Sequence, residues 1–289
     1  MDGLETRELA YYVAVAEELH FGRASLRLGI AQPPLSRAIK QIERRVGVPL
    51  LERSSRSVRL TPAGEVLLHE ARKALDAVTA ATRRTRRAGQ VAARLIVATK
   101  PGGDAGLLPD ILSEYGSAPD ALAVDVLICG IGEQAALLRD GRADIGLLHL
   151  PWDDLSGFDT EELLVQRQVV VLPAHHRLAG RPAVRLADLA GEPMPRWPGA
   201  AGGPAGPAVR DSAQLMELIA LGRAVAVLPE SVRGRLRTDL VCVPVLDAPR
   251  STVVIGWPER SRSLAIAAFV RAATAVAARR RPQVVAVPG

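Results

Sequence analysis

The sequence has few cysteines, and this limits both disulfide and metal chemistry. Its 289 residues include only Cys129 and Cys242, each inside an apolar, strand-like run without a second metal-type ligand at a useful spacing. We expect both to be buried small hydrophobic residues, and we expect no metal site and no cofactor. A disulfide between them remains an alternative, which a reducing cytoplasm would disfavour.

Long hydrophobic runs and targeting segments are also missing. No stretch approaches the roughly 18 uncharged apolar residues of a membrane-spanning helix. The N-terminal region offers only a short apolar patch at 11–16, with acidic residues on both sides and no small-residue cleavage site. These features predict neither a signal peptide nor a membrane partner, and therefore a cytoplasmic protein.

Positive charge is confined to the N-terminal third. Residues 1–94 contain 17 basic and 10 acidic residues, whereas the remaining chain contains 20 basic and 21 acidic residues. Such asymmetry within one chain indicates a polyanionic partner for the basic part, nucleic acid being the usual one.

Three short helices are expected at the start of this basic part. Apolar residues recur at three- and four-residue spacing from Thr6 to about Glu18, the period of an amphipathic helix. A second helix follows Gly22, and Gly29 can end it in a left-handed turn. A third begins near Gln32, because two prolines suit a first turn whose amides are unpaired. Two short helices joined by a tight turn form a helix-turn-helix.

A two-stranded wing and a long helix complete the N-terminal part. The strand-like arms 50–53 and 57–60 flank a polar centre at 54–56. Thr61 and Pro62 then mark the start of a helix that runs to about Arg87. Its apolar stripe needs a cover, either from its own chain or from a second copy. The stripe contains Val66, Leu67, Ala71, Ala74, Leu75, Val78 and Ala81.

From Leu95 onward, strand-like and helix-like segments alternate, which predicts βαβ units and a mostly parallel sheet. A second series begins near Leu163 with VQRQVVVLP and passes a Gly/Pro-rich loop at 192–207. The strand VVIGW and the helix after it could return the chain to the first series. We therefore expect two lobes joined by two crossover strands.

No catalytic constellation is expected, so we do not predict an enzyme. His175 and His176 follow a strand, while His149 has no clustered acidic or cysteine partner and is interpreted as a satisfied residue at a strand end. Ser231 lacks the surrounding glycines of a hydrolase nucleophile.

The N-terminal segment closely resembles the DNA-binding domain of LysR-type transcription regulators; the resemblance covers ELAYYVAVAEELHFGRASLRLGIAQPPLSRAIKQIERRVGVPLLERSSRSVRLTPAGEVLLHEAR. The second half resembles that family's effector domain, which is built like a periplasmic binding protein, through LLPDIL, EQAALLRDGRADIGLL, VVVLPAHHRLA and LIALGRAVAVLP. The resemblance implies a winged helix-turn-helix followed by a two-lobed α/β domain. The expected boundaries are 1–60 for the winged domain, 61–91 for the linking and dimerising helix, 92–282 for the effector domain (first lobe 92–160 and 256–280, second lobe 161–255) and 283–289 for a frayed tail.

In that family the third helix enters the major groove and the wing follows the adjacent backbone or minor groove. Gln32 suits adenine, Arg37 suits guanine or phosphate, and Ser36 suits either a base or a phosphate. Lys40, one turn further on, suits phosphate. Arginines of the wing alternate in sequence and are expected to point to one side. The expected DNA-contacting residues are Gln32, Pro33, Ser36, Arg37, Lys40, Arg53, Arg56 and Arg59.

Effectors of this family bind between the lobes, at the carboxyl ends of strands. Loops 100–103 and 130–132 each lead into a helix whose free amides could hold an anion. Family members that bind carboxylates often carry hydroxyl groups in these loops, and this chain does not, so the effector's chemistry stays open. The expected effector-binding residues are Lys100, Pro101, Gly102, Gly130, Ile131, Arg196 and Trp197.

The resemblance implies a regulator that binds an interrupted palindrome of duplex DNA as a homodimer or dimer of dimers, responds to a small-molecule effector, and acts on RNA polymerase. An exported solute-binding protein is the first alternative, but it would leave the basic third without a purpose. An enzyme on a two-lobed scaffold is the second, and it lacks a catalytic cluster.

Overall fold

The computed structural model describes residues 3–53, 57–89, 93–197 and 206–280. The expected tail 283–289 lies outside these ranges. The chain divides into two compact units near Arg86, and each is described by itself.

The first unit is a helix-turn-helix with a wing and a long helix. Its elements are α1 (Thr6–Glu18), α2 (Phe21–Leu28), α3 (Gln32–Val46), β1 (Leu51–Arg53), β2 (Val58–Leu60) and α4 (Pro62–Ala88). Helices α1, α2 and α3 pack around Tyr12, Leu35, Ile39 and neighbouring buried residues. Gly29 ends α2 with φ at 65°, as expected of a residue without Cβ.

Gly64 lets α4 begin directly against this core. A Cβ at Gly64 would lie 2.1 Å from the Leu50 carbonyl oxygen, so only glycine fits. The Tyr12 hydroxyl donates to the Gly64 carbonyl at 2.7 Å. Burial, followed by the Glu43 carboxylate, raises the pKa of Tyr12 to about 12, which keeps this hydroxyl protonated. Thr61 caps the helix by accepting from the Gly64 amide at 3.0 Å.

Only part of the apolar stripe of α4 is buried, and the rest is exposed. Ala71 is buried and Leu67 packs against the core of the first unit. Val66 and Val78 are exposed by 64% and 49%, and Ala74 is exposed as well. Together with the exposed Glu70, these residues form a row at four-residue spacing that no other described part of the chain covers.

The second unit consists of two lobes. Its elements are β3 (Arg94–Thr99), α5 (Leu108–Gly116), β4 (Ala123–Ile128), α6 (Gln134–Arg139), β5 (Ile145–Leu150), β6 (Phe158–Gln166), β7 (Gln168–Pro173), α7 (Ser212–Ala220), β8 (Ala226–Pro229), β9 (Leu240–Pro244), β10 (Ser251–Pro258) and α8 (Leu264–Arg280), with 3₁₀ turns at Leu186–Leu189 and Glu230–Arg235. The first lobe has a five-stranded sheet in the order β4-β3-β5-β10-β6, and the second has a three-stranded sheet in the order β8-β7-β9.

The expectation of a mostly parallel sheet is only partly correct. Strand β3 pairs in parallel with β4 and β5, but β10 is antiparallel to β5 and β6. In the second lobe, β7 pairs antiparallel with both of its neighbours. Alternation of strands and helices does not fix strand direction here, because β7 and β8 pair antiparallel although α7 lies between them, and β10 enters the first-lobe sheet on its return from the second lobe.

The lobe boundaries expected at 160/161 and 255/256 need correction. Strands β6 and β10 pair with each other over Phe158–Gln166 and Ser251–Pro258, inside the first-lobe sheet. The chain therefore crosses to the second lobe at Arg167 and returns between 244 and 251. The apolar run VQRQVVVLP does not reveal this change of sheet, because both of its strands are apolar.

Both cysteines are free thiols, and each is half-buried rather than buried as expected. Burial raises the pKa of the Cys129 thiol to about 11. Within the ranges that the structure describes, no helix is long and apolar enough to cross a membrane.

Candidate DNA-binding surface and effector cleft

Helix α3 presents a polar, basic face opposite its buried face. Leu35, Ile39 and Ile42 are fully buried, and their three- and four-residue spacing turns the remaining positions outward. Gln32, Pro33, Arg37 and Lys40 are exposed, and Ser36 is half-buried. The structure thus brings the expected α3 residues onto one accessible face.

Sequence reasoning missed Arg44 on this face. Arg37, Lys40, Gln41 and Arg44 line one open depression. The three cations have no ion pair to any described carboxylate, so their charge is available to a partner. The missed signal was the helical period, since Arg44 follows Arg37 by seven residues.

The wing does not direct its arginines to one side, which corrects the sequence expectation. Strand β1 pairs with β2 so that Arg53 lies opposite Val58 and Glu52 opposite Arg59. Residues directly opposite each other share a face of the ladder, so Arg53 and Arg59 point to opposite faces. Arg56 lies outside the described residues.

Arg53 is exposed but makes contacts within the domain. Its guanidinium pairs with Glu43 at 2.7 Å and lies 5.1 Å from the centroid of the Phe21 ring. Glu43 also accepts from the amides of Leu50 and Leu51, both at 3.1 Å. Glu43 therefore ties the first strand of the wing to α3, and Arg53 helps to hold that carboxylate in place.

The expected effector site of the second unit lies at the carboxyl ends of β3 and β5. These parallel strands pair only at Val97–Ile145 and Ala98–Gly146. Beyond that point the buried Gln134 donates from Nε2 to the Leu147 carbonyl at 3.4 Å. Since β4 and β5 lie on opposite sides of β3, this is the point where strand order reverses, the usual ligand position in such sheets.

The expected cleft residues of the first lobe meet the second lobe. Ser212 at the start of α7 donates from its hydroxyl to the Pro101 carbonyl at 3.2 Å. Gly102 lies against the Arg235 guanidinium, and a Cβ there would be 3.7 Å from it. Similarly, a Cβ at Gly130 would be 3.4 Å from the Arg210 carbonyl.

Ile131 and Trp197 pack against one apolar cluster, whereas Arg196 does not join it. Both apolar side chains pack against the same second-lobe cluster around Leu215. Arg196 is exposed and donates from Nε to the Gly206 carbonyl at 2.9 Å, within its own loop. Asp104, which sequence reasoning missed, is only 5% exposed and pairs with Arg235 of the second lobe at 3.3 Å.

Lys100 and His149 lie together beneath the loop at 100–103 of the first lobe. A Cβ at Gly103 would lie 2.6 Å from Lys100 Cγ and 3.3 Å from His149 Cε1, so the loop closes tightly over both side chains. Burial lowers the pKa of Lys100, and the negative charge of Asp153 partly offsets this. Burial, followed by Lys100, lowers the pKa of His149 to about 3.

His149 is not the satisfied residue that its sequence position predicts. Its backbone amide donates to Asp153 Oδ2 at 2.7 Å, but the buried Nδ1 atom has no hydrogen-bond partner. In the parts of the chain with described side chains, no group of three His, Cys, Asp or Glu residues could hold a metal ion.

Comparison with known proteins identifies both units. The model of bacterial regulatory helix-turn-helix proteins of the LysR family matches residues 6–65, and the LysR substrate binding domain model matches residues 88–278. AlsR of Bacillus subtilis is 36% identical over 192 residues, which are 66% of this chain but only 63% of AlsR. HcaR of Escherichia coli is 30% identical over 286 residues, 92% of this chain and 96% of HcaR.

Solved structures agree with the family models. The structure of full-length BenM, a regulator from Acinetobacter baylyi, is 28% identical, covers 96% of this chain and 97% of its own, and superposes with a TM-score of 0.52. The fold and both family models lead to one conclusion: the chain belongs to the LysR family of bacterial helix-turn-helix regulators, which join a DNA-binding domain to an effector-binding domain.

Proposed function

We propose that this protein is a transcription regulator that binds a specific duplex DNA sequence through α3 and the wing and responds to a small molecule held between the lobes of its second unit. The observation that carries this proposal is the exposed basic face of α3, whose cations have no carboxylate partners among the described residues. AlsR and HcaR are named as a transcriptional regulator and an operon transcriptional activator.

We assign base contacts to Gln32, Ser36 and Arg37, with Pro33 packed beside the groove. Lys40 and Arg44 lie further along the same face and suit phosphate. Arg59 faces away from the domain core and suits phosphate as well. We retain Arg56 as a phosphate contact from its sequence position, and we keep Arg53 as a proposed contact, since its guanidinium is accessible although it pairs with Glu43.

We assign the effector to the cleft, with Lys100, Pro101 and Gly102 on one loop and Gly130 and Ile131 on the next. Trp197 closes the cleft from the second lobe through its contact cluster with Ile131. Arg196 lies on the neighbouring backbone and is the weakest member of the set. Because Ser212 and Arg235 already bridge the lobes, a ligand that strengthens or replaces these contacts would shift the lobe arrangement.

We propose that two copies pair through the exposed row of α4 that contains Val66, Ala74 and Val78. In this arrangement residues 1–60 form the winged domain and residues 61–91 the linking helix. Paired domains then fix the spacing of two half-sites in an interrupted palindrome. We place the protein in the cytoplasm, where its DNA and RNA polymerase are found, and we propose no enzymatic activity.

The proposal is tested by the salt dependence of DNA binding. The full chain should bind random duplex DNA with an affinity that falls steeply as salt rises, because each neutralised phosphate releases counterions. Arg37→Ala should reduce discrimination between specific and random DNA by about 1–3 kcal/mol, whereas Arg59→Ala should weaken both equally.

Arg262→Ala is the matched control, since Arg262 is an exposed arginine of the second unit. It should leave binding to both DNAs unchanged. Affinity that does not depend on salt, or equal losses for Arg37→Ala and Arg262→Ala, would refute the proposed DNA-binding surface.

A further inference from the structure

One short segment of the second lobe is bonded to the first lobe and its crossover at both of its ends. This segment is the 3₁₀ turn Glu230–Arg235, which we call the brace. At its start, the Ser231 amide donates to Gln166 Oε1 at 3.1 Å, and the Glu230 amide donates to the Arg167 carbonyl at 3.0 Å. Gln166 is the last residue of β6, so the brace begins against the strand by which the chain leaves the first lobe.

At its other end, the brace reaches the loop that precedes α5. The Arg235 guanidinium lies 3.3 Å from Asp104 Oδ1. The Asp104 side chain is only 7% exposed, and its Oδ2 atom accepts from the Leu108 amide at 3.4 Å, in the first turn of α5. A carboxylate that is withdrawn from water needs an opposing charge, and Arg235 supplies it from the second lobe.

Two contacts besides this ion pair join the same lobes. The Ser212 hydroxyl at the start of α7 donates to the Pro101 carbonyl at 3.2 Å. Ile131 of the first lobe packs against the second-lobe cluster around Leu215. All of these contacts are made directly between protein groups, so the lobes meet without the help of a ligand.

The brace restricts rotation of one lobe against the other. The chain crosses between the lobes at Arg167 and returns between 244 and 251. Two such crossings form a hinge about which two lobes can rotate. Because the brace connects the first crossover to the loop at 101–104, a rotation that opens the lobes has to separate Arg235 from Asp104.

The loop that the brace holds carries backbone strain. Ala105, which follows Asp104, has a φ of 51°, in the left-handed region that a residue with a Cβ adopts only at a cost. Such a conformation persists where the surrounding structure holds it in place. Here the Leu108 amide and Arg235 hold the residue next to it, so loss of the ion pair would let the loop relax.

The ion pair is open to solvent on one side. The Arg235 side chain is 56% exposed, although the Asp104 side chain is buried. Dissolved ions can therefore reach the guanidinium and weaken the pair, as they do at protein surfaces. This makes the Asp104 end the part of the brace that is released most easily.

We propose that the brace holds the two lobes together when no effector is bound, and that separation of Arg235 from Asp104 releases them. This inference rests on the proposed function, because it specifies the regulation of the same effector domain. An effector that acts by changing the lobe arrangement has to break or outweigh this ion pair.

Hydrogen exchange followed by mass spectrometry tests the brace in the full-length protein without DNA or effector. Arg235→Ala should speed amide exchange about 5-fold or more in two segments, 101–108 and 130–137. The second segment is the informative one, since none of its described residues bonds to Arg235 or Asp104, while Ile131 within it meets the second lobe. Arg237→Ala is the matched control, because Arg237 pairs with Glu217 and Asp239 of its own lobe, and it should exchange as the unmodified protein does.

Further variants and salt separate the ion pair from other effects. Asp104→Asn should act as Arg235→Ala does, and the double variant should add little, because both changes remove one pair. Arg235→Lys keeps the charge and should keep most of the protection. Raising NaCl from about 0.05 M to about 1 M should speed exchange in the unmodified protein and in Arg237→Ala, but not in Arg235→Ala. Circular dichroism checks that each variant is folded.

The pattern of exchange decides the inference. Faster exchange that is confined to 101–108 and the brace itself would overturn it, because the pair would then hold only its own loop. Unchanged exchange in Arg235→Ala, equal changes in Arg237→Ala, or additive effects in the double variant would overturn it as well. DNA binding by the same samples separates the two proposals. Salt-dependent DNA binding with unchanged exchange refutes the brace alone, whereas the expected exchange without DNA binding supports the brace and refutes the regulator.

Discussion

Replacing His149 with glutamine should remove a pH dependence from the stability of the second unit. The folded protein keeps His149 neutral, because burial and the neighbouring Lys100 lower its pKa to about 3 from the ordinary value of 6.5. The unfolded chain protonates it at the ordinary value. The free energy of unfolding therefore falls as the pH falls through 6.5 towards 3, and this loss has no counterpart in His149→Gln.

The magnitude follows from the two pKa values. At about 1.4 kcal/mol per pH unit, the full gap corresponds to about 5 kcal/mol. The part that falls between pH 7 and pH 5 is about 2 kcal/mol, and this interval lies above the range in which most carboxylates titrate. His149 is 3% exposed, so solvent does not screen the effect.

Urea unfolding followed by tryptophan fluorescence measures this difference in the second unit alone, since all three tryptophans lie there. From pH 7 to pH 5, the unmodified protein should lose about 2 kcal/mol more than His149→Gln does. His175→Gln, which removes an exposed histidine from the same unit, should behave as the unmodified protein. A difference below about 0.5 kcal/mol would show that His149 is solvated or charged in the folded state.

Three further predictions concern the first unit. Gly64→Ala should lower the stability of this unit by about 3 kcal/mol, because the new Cβ meets the Leu50 carbonyl. Thermal unfolding by circular dichroism measures the loss. A loss equal to that of Gly116→Ala, where a Cβ has open space, would contradict the prediction. Glu43→Gln should lower the free energy of unfolding by about 1–2 kcal/mol and weaken binding to every DNA sequence alike, since the wing loses its bonds to α3. Unchanged stability and DNA affinity would argue against this role of Glu43. Arg44→Ala should reduce the slope of log affinity against log salt by about 1, and an unchanged slope would remove it from the phosphate contacts.

The helices of the first unit follow from sequence because their signals are local. The apolar period of α1 and α3, the prolines at the start of α3 and the cap at Thr61 each act within a few residues. The start of the second helix differs slightly from the expectation that it follows Gly22. Helix α2 begins at Phe21, and its cap His20 accepts a hydrogen bond from the Arg23 amide. Capping by histidine is not a pattern that sequence reasoning uses.

The direction of the wing arginines could not be predicted, because a hairpin changes the parity of its strands. Arg53 and Arg59 are six residues apart, and in one continuous strand they would share a face. Pairing of Arg53 with Val58 makes residues of opposite parity share a face instead. Register therefore decides which face of the wing each arginine occupies, and register depends on the turn, not on the alternation of residues.

Three buried polar residues lie near the points where the chain passes between the lobes, and the sequence alone does not predict their burial. Gln166 and Gln168 interrupt the apolar run VQRQVVV, and Ser251 begins the apolar run STVVIGW. In a single continuous strand such residues are read as an exposed edge or as a turn. Strand pairing buries all three at the two places where the chain passes between lobes. Ser251 and Gln166 pair although they are 85 residues apart in the chain, so no local pattern could predict that both are buried.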